Sequence, residues 1–414
     1  GRTKAIEMSS QETTVAIIGA GARGRGFAAL VNSFVHLGGK IVSVAEPREV
    51  ERGEMAETYG IRSDRVFKDW QSFCEQPKLC EAVVIATLDQ DHVGPAIACI
   101  RKGYHVLLEK PMAVTLEDCG AIAAAAEQSG VITSVCHSLR YHKGFARLKG
   151  IVDSGRLGRL ITIDHLEQVA WWHQAHSFVR GNWGNEGRSS FMLLAKSCHD
   201  LDYMTYLIGA PCQTVSSFGQ LTYFTRENAP AGSGERCVDC AVEPECPYSA
   251  IRNYVRKRTF PTHLTADRTD AGMLEAIRTG PYGRCVWKSD NDVVDHQVVS
   301  LAYGGGVTAT FTMTGFTQKM GREIRVHGTE AEARFTEGSI EVREFASGNT
   351  ETITIAPESG GHGGGDARVV LNWLRAIREN DPSLVTTDVH ESLRTHAIVF
   401  AAETARREGR LVQI

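Results

Sequence analysis

Apolar positions in the first third of the chain follow two alternating rhythms. Short continuous runs at Thr14–Ile18, Lys40–Ala45, Ala82–Ala86, Tyr104–Leu108 and Val131–Val135 are rich in Val, Ile and Leu, and Arg65–Phe67 adds a shorter one. Runs of this length and composition read as strands buried on both faces. Between them the apolar residues recur three and four apart, as in Phe27, Leu30, Val31 and Phe34, or Val93, Ile97 and Ile100 before a stop at Gly103. A polar helix is expected at Glu49–Tyr59 and a further helix at Leu116–Gln128. Six strands joined by helical crossovers predict a doubly wound parallel sheet.

After residue 136 the period shortens to two. Arg159–Trp172, Asp295–Tyr303, Gly306–Met313, Arg322–His327, Ala331–Thr336, Ser339–Arg343 and Glu351–Ile355 alternate or carry β-branched residues, with glycine turns between them, as in an open, mostly antiparallel sheet. Three helices interrupt it. Phe191–Gly209 ends on a glycine; Val370, Trp373, Leu374 and Ile377 form one stripe, with Asp366 placed as its N-cap; and Asp388–Arg407 opens on a capping box, Asp388 with Glu391. The fold class expected is α/β: a domain over residues 1–136, then an α+β domain over 137–414 with an insert at about 225–286 and closing helices at about 366–407.

Composition narrows the function. The 414 residues carry a net charge of −4, which supplies no basic field for nucleic acid or an anionic membrane. No apolar run approaches the ~18 residues that span a bilayer. The first twelve residues lack the apolar centre of a signal peptide and read as a tail. Eleven cysteines, mostly single and in apolar contexts, point to a reducing, cytoplasmic location.

The chemistry begins at Gly19-Ala20-Gly21-Ala22-Arg23-Gly24, which follows the first strand directly and opens a helix. This is the order a dinucleotide needs: Gly19 for a tight turn, Gly21 for close approach of a pyrophosphate to the backbone, Gly24 for helix–strand packing. The phosphates then meet the N–H groups of the helix start, here Ala22 and Arg23. Glu46, 22 positions past Gly24 at the end of the second strand, is placed to hold ribose hydroxyls and to repel a 2′-phosphate; Arg48 close by works the other way. NAD is the cofactor expected. Thr87, Asp89, His92, Glu109, Lys110 and Pro111 end the fourth and fifth strands, at the same sheet edge.

The segments GAGARG, ATLDQDH and GYHVLLEKP, in that order and spacing, resemble the Gfo/Idh/MocA oxidoreductases, and the resemblance extends over nearly the whole chain. It implies a second domain whose sheet face closes the active site, hydride transfer between a nicotinamide and a sugar-like hydroxyl, and dimers or tetramers of the chain. It implies that Lys110 touches the reacting hydroxyl and that Pro111 follows a cis bond beside the nicotinamide. A lysine there would stabilise a developing alkoxide or relay its proton. The resemblance also implies an Asp, a His four residues on and an Asp three further. This chain keeps His199 and Asp202 but has Ala195 in the first place, with Lys196 beside it. His199 is the candidate base, and Lys196, on the same helix face, is a candidate either to replace the missing relay or to bind substrate.

The substrate should be read from an unusual loop expected at Trp171–Ser190, WWHQAHSFVRGNWGNEGRSS. Trp172 and His173 offer faces for sugar C–H surfaces, and Arg180 and Arg188, with Arg140, offer forks for an anionic group. His362, in a glycine loop, is a further candidate. Three readings stay open: an NAD-dependent oxidoreductase taking hydride from a ring carbon, expected to be C3, of a carbohydrate, with an anionic sugar favoured; a redox-neutral NAD-dependent glycosidase, as in the sulfosugar branch of the family, that oxidises, eliminates, hydrates and reduces; and a sugar-binding sensor without turnover. Finally, Cys237-x2-Cys240-x5-Cys246 reads as most of a structural zinc site, with Cys285 or His263 as the fourth ligand. Zinc there would staple an insert with little apolar pattern of its own.

Overall fold

The computed structural model describes residues 12–260 and 264–414; the expected N-terminal tail and His263 lie outside them. The chain divides into two compact units, one comprising residues up to Arg147 together with Ala356–Ala397, the other Leu148–Ile355 with Ile398–Ile414.

In the first unit β1 (Thr13–Ile18), α1 (Ala22–Ser33), β2 (Gly39–Ala45), α2 (Glu49–Tyr59), β3 (Val66–Phe67), α3 (Trp70–Glu75), β4 (Ala82–Ile85), α4 (Val93–Arg101), β5 (His105–Leu108), α5 (Leu116–Ser129) and β6 (Thr133–Val135) alternate. The sheet runs β3-β2-β1-β4-β5-β6 and every pairing is parallel. All four residues of β4 are buried, because helices cover both faces. The helix Gly365–Glu379 belongs here too. Its Val369, Val370, Trp373 and Leu374 share a core with Val15, Phe27 and Val31. Each such side chain contributes about 1.5–3 kcal/mol by leaving water, which ties this late segment to the first strands. Asp366 is not the N-cap of that helix: Gly364 caps it, because the Asp366 carboxylate is drawn into ion pairs described below.

The second unit is built on one sheet of nine strands: β7 (Leu160–Gln168), β8 (Cys212–Gln220), β9 (His296–Tyr303), β10 (Thr308–Thr314), β11 (Gly321–Gly328), β12 (Ala331–Thr336), β13 (Ser339–Glu344), β14 (Thr350–Thr354) and β15 (Val412–Gln413), ordered β14-β13-β12-β11-β7-β10-β9-β8-β15. Only β7 with β10 is parallel. The segment expected as an irregular loop after β7 is largely helical: α6 (Trp171–Ala175) continues into a π-turn at His176–Arg180. Then α7 (Met192–Ile208) is buried along most of its length and ends at Gly209 with φ +71°. Across the sheet's other face Phe218 and Val298 pair in register and are exposed. Among the described residues no helix is long and apolar enough to cross a membrane.

Candidate active site

The turn after β1 behaves as its glycines require. Gly19 has φ +91°, and a Cβ there would stand 2.5 Å from the Ala86 carbonyl oxygen. A Cβ on Gly24 would collide with the Gly19 carbonyl. Gly21 differs: its Cβ would meet only Arg48, at 3.6 Å. Its missing side chain is therefore not demanded by protein packing, and leaves an open cradle in front of α1. Gly21 caps that helix with no side-chain hydrogen bond and no acidic residue in the first turn, so the opening N–H groups keep their affinity for an anion. Glu46, 3% exposed, accepts the Ala20 N–H at 2.7 Å and the Arg48 N–H and Nε at 2.9 Å. Burial raises its pKa, but the hydrogen bonds from Arg48 and from the Ala20 backbone outweigh this and hold the carboxyl below its usual value. An anionic acceptor thus stands beside a phosphate cradle, a donor set that fits NAD; Arg48, folded onto Glu46, is engaged.

At the same edge Arg23 turns inward. Its guanidinium pairs with Glu109, and with Asp366 at 2.5 Å. Asp366 also accepts from Ser138 and, at 3.0 Å, from His362 Nδ1. Burial opposes the Asp366 charge, yet the bonds from His362 and Arg23 press its pKa far below the carboxylate range. Glu109 accepts the Lys110 N–H at 2.7 Å, and Lys110–Pro111 is cis. His92, buried, sets one ring nitrogen 2.6 Å from the Pro111 carbonyl and the other 3.3 Å from that of Thr87. It ties two strand ends together. Asp89 is buried one turn before it. Arg140, expected on substrate, has its guanidinium on Glu391 at 2.9 Å and on the Thr386 carbonyl; its side chain is 2% exposed. His362, also expected on substrate, sits on Asp366 in this unit.

In the second unit the side chains on one face of β7 alternate inward as Ile163, His165 and Glu167. Opposite them α7 brings Lys196, His199 and Asp200, and neighbouring β11 brings Arg322. Lys196 Nζ lies 2.9 Å from Glu167. Arg322 Nε lies 2.8 Å from Glu167 and 2.5 Å from Asp200, and an Arg322 NH2 donates to His199 Nε2 at 2.9 Å. The same His199 Nε2 lies 3.3 Å from Asp200 Oδ2. His165 completes the group, 3.0 Å from Asp200. Burial opposes the Asp200 charge, but Arg322 and the two histidines hold its pKa well below the usual range. The sequence reading found Lys196 and His199 here and missed His165, Glu167, Asp200 and Arg322. The signal was present: a strand that alternates Ile163, His165, Glu167, Val169 puts two titratable groups on its core face, and the alternation Arg322, Ile324, Val326 puts one more on that of β11.

The aromatic segment is also placed. Trp172 and His173 stack at 5.8 Å and both lie against Phe260, half-buried. Arg188 pairs with Asp290 at 2.5 Å on the surface. Arg180 is not presented outward. It is 2% exposed and donates to the Arg284 and Tyr248 carbonyls at 2.7 and 2.8 Å. The three arginines that pointed to an anionic substrate are thus held by protein groups. Cys237, Cys240, Cys246 and Cys285 line one cavity, but among the described residues no three His, Cys, Asp or Glu side chains are drawn together enough to hold a metal ion. The expected zinc has no preformed ligand set.

Comparison with known proteins agrees with this geometry. Residues 13–137 match the oxidoreductase family model with an NAD-binding Rossmann fold, and residues 149–414 match the C-terminal alpha/beta domain of the same Gfo/Idh/MocA family. The chain is 24% identical to a putative oxidoreductase, YteT, of Bacillus subtilis over 69% of this chain and 70% of that one. It is 26% identical to the scyllo-inositol 2-dehydrogenase (NAD+) of the same organism over 59% and 62%. The chain spans only about a third to two thirds of the length of most curated relatives it matches. The fold is shared with levoglucosan dehydrogenase solved in complex with NADH, at a TM-score of 0.73 and 17% identity over 98% and 99% of the two chains. With both of its domain models matched in order along the chain, this protein belongs to the Gfo/Idh/MocA oxidoreductase family.

Proposed function

We propose that the protein is an NAD-dependent oxidoreductase that removes hydride from a ring carbon bearing a hydroxyl, on a neutral carbohydrate or cyclitol. The observation that carries this reading is the sheet edge of the first unit. There an open cradle at Gly21, the anionic acceptor Glu46 and Lys110, just past the end of β5, occur on one sheet edge. Bound NAD would supply the hydride acceptor. Ala22 and Arg23 N–H groups would take its phosphates, and Glu46 its adenosine ribose hydroxyls. The Glu46 carboxylate favours NAD over a nucleotide with a 2′-phosphate. Thr87, Asp89, His92 and Glu109 shape the rest of that edge.

Lys110 is assigned to the reacting hydroxyl, where an ammonium stabilises negative charge as the O–H bond weakens. Within the second unit, Lys196 and His199 are assigned to proton transfer. Lys196, held by Glu167, and His199, oriented by Arg322, stand where the family's Asp–His pair is interrupted by Ala195. Trp172 and His173 present stacked faces for ring C–H bonds. The neutral substrate replaces the anionic one because Arg140, Arg180 and Arg188 are held by Glu391, by backbone carbonyls and by Asp290. The exposed Phe218–Val298 pair on the open sheet face supports assembly as a homodimer or homotetramer.

A panel of cyclitols, pyranoses and glycosides incubated with NAD tests the reading. Stoichiometric NADH supports it. Sustained aglycone release with no net NADH would instead establish the glycosidase reading, and nucleotide binding without any turnover the sensor.

A further inference from the structure

Outside the sites described above, one cavity in the second unit gathers an unusual set of groups. Cys237, Cys240, Cys246 and Cys285 line it together with Arg180, Arg236 and Trp287. All four cysteines are free thiols. Two of them are met by a backbone N–H: Cys237 from Ala250 at 3.4 Å and Cys240 from Gly234 at 3.3 Å. A neutral thiol is a weak acceptor. A thiolate is a strong one, and these amide donors, with the Arg180 guanidinium 3.4 Å from Cys237 Sγ, suit metal-bound thiolates.

The charges make the same point independently. Arg180 is almost fully buried, and among the described residues no carboxylate pairs with it. Its guanidinium donates to two carbonyls and, at 3.4 Å, to Cys237 Sγ. A buried cation without a counter-charge is costly. Two further donors at the cavity, Trp287 Nε1 and Arg236 Nε, are buried and have no acceptor. The one carboxylate of the lining, Glu243, is engaged by Ser249; what Arg180 and the two orphaned donors lack, four thiolates around a thiophilic metal provide. Either a single zinc with four cysteinates or a four-iron cubane with four cysteinates carries a net charge of about −2.

We propose that Cys237, Cys240, Cys246 and Cys285 are the ligands of one metal–thiolate centre, balanced by Arg180. Binding releases the thiol protons to solvent and draws the sulfurs from their present spread onto the metal. The centre joins two small apolar groups that have little else to hold them: Cys237 with Ala250, Tyr254, Met273 and Ile277, and Cys285 with Tyr248, Val286, Trp287, Ala175 and Val179. Through Arg180 and Val179 it anchors the π-turn that follows the Trp172–His173 stack.

The test is elemental analysis and acid-labile sulfide on the full chain purified without oxygen, followed by a mercurial that caps thiolates and a dye that reports released metal. About one zinc, or about four irons with as many sulfides, is expected per chain. Zinc and iron–sulfur are separated by the sulfide and by visible absorption. Cys237→Ser and Cys246→Ser should each lower the content at least about tenfold, while Cys212→Ser, in β8 away from the cavity, leaves it unchanged. If the serine variants do not fold, chelation of the unaltered protein decides the matter: Tm should fall. Less than about a tenth of a metal per chain, or metal that a chelator strips with no change in Tm, overturns the proposal. Because NAD binding lies in the other unit, failure here leaves the proposed function standing.

Discussion

The guanidinium of Arg322 lies 2.5 Å from the carboxylate of Asp200, and neither side chain is more than 9% exposed. The same guanidinium reaches Glu167 and His199, so one cation organises two buried anions and the candidate base. Arg322→Met should leave Asp200 buried without its cation, Glu167 keeping Lys196, and cost about 3–5 kcal/mol, read from urea unfolding. Adding Asp200→Asn should recover part of the loss; no recovery would show that the pair is not the origin.

Asp200 and Asp366 also set the acid limit. Folding lowers the pKa of each, so the stability they contribute is complete above about pH 4, the ordinary carboxyl value. It is lost as pH falls through the depressed folded values. The unfolding midpoint should be flat with respect to these groups from about pH 5 to 8 and fall below about pH 4. Asp366→Asn should make the acid fall shallower; an unchanged slope would count against the assignment.

Gly19 and Gly21 should separate folding from cofactor binding. Gly19→Ala forces a side chain at φ +91° against the Ala86 carbonyl and should destabilise the first unit. Gly21→Ala meets no close protein atom, so stability should change by less than about 1 kcal/mol. NAD affinity should nevertheless fall at least about tenfold, roughly 1.4 kcal/mol. Thermal melts with and without NAD distinguish the two.

Glu46→Ala should weaken NAD binding and narrow the preference over NADP, because the buried acceptor and its repulsion of a 2′-phosphate are both removed and Arg48 is released. Titration calorimetry with both nucleotides measures this. An unchanged ratio of affinities would mean that Glu46 does not face the ribose.

The nucleotide unit was legible because its signals are local. A strand, a glycine turn and a helix occupy one stretch of chain, and a strand buried on both faces, such as Ala82–Ile85, announces itself as a continuous apolar run. What depends on distant partners was not legible. Arg23 and Asp366 are 343 positions apart, and nothing near Asp366 distinguishes a helix cap from an ion-pair partner. The partners of the arginines were illegible for the same reason: Arg140, Arg180 and Arg188 read as spare cations, whereas Glu391, the carbonyls of Arg284 and Tyr248, and Asp290 hold them. His165, Glu167 and Arg322 lay in plain view of the two-residue alternation, masked by attention to the apolar members of each strand.

The most direct test of the central claim follows hydride itself. A cyclitol or sugar from the panel, deuterated at the reacting carbon, is incubated with NAD and either the unaltered protein or Lys110→Ala, and the nicotinamide is analysed for deuterium. Deuterium should reach the nicotinamide with the unaltered protein, and turnover should fall at least about a hundredfold with Lys110→Ala while NAD still binds. No affinity for either nucleotide, or full turnover without the Lys110 amine, would contradict the account.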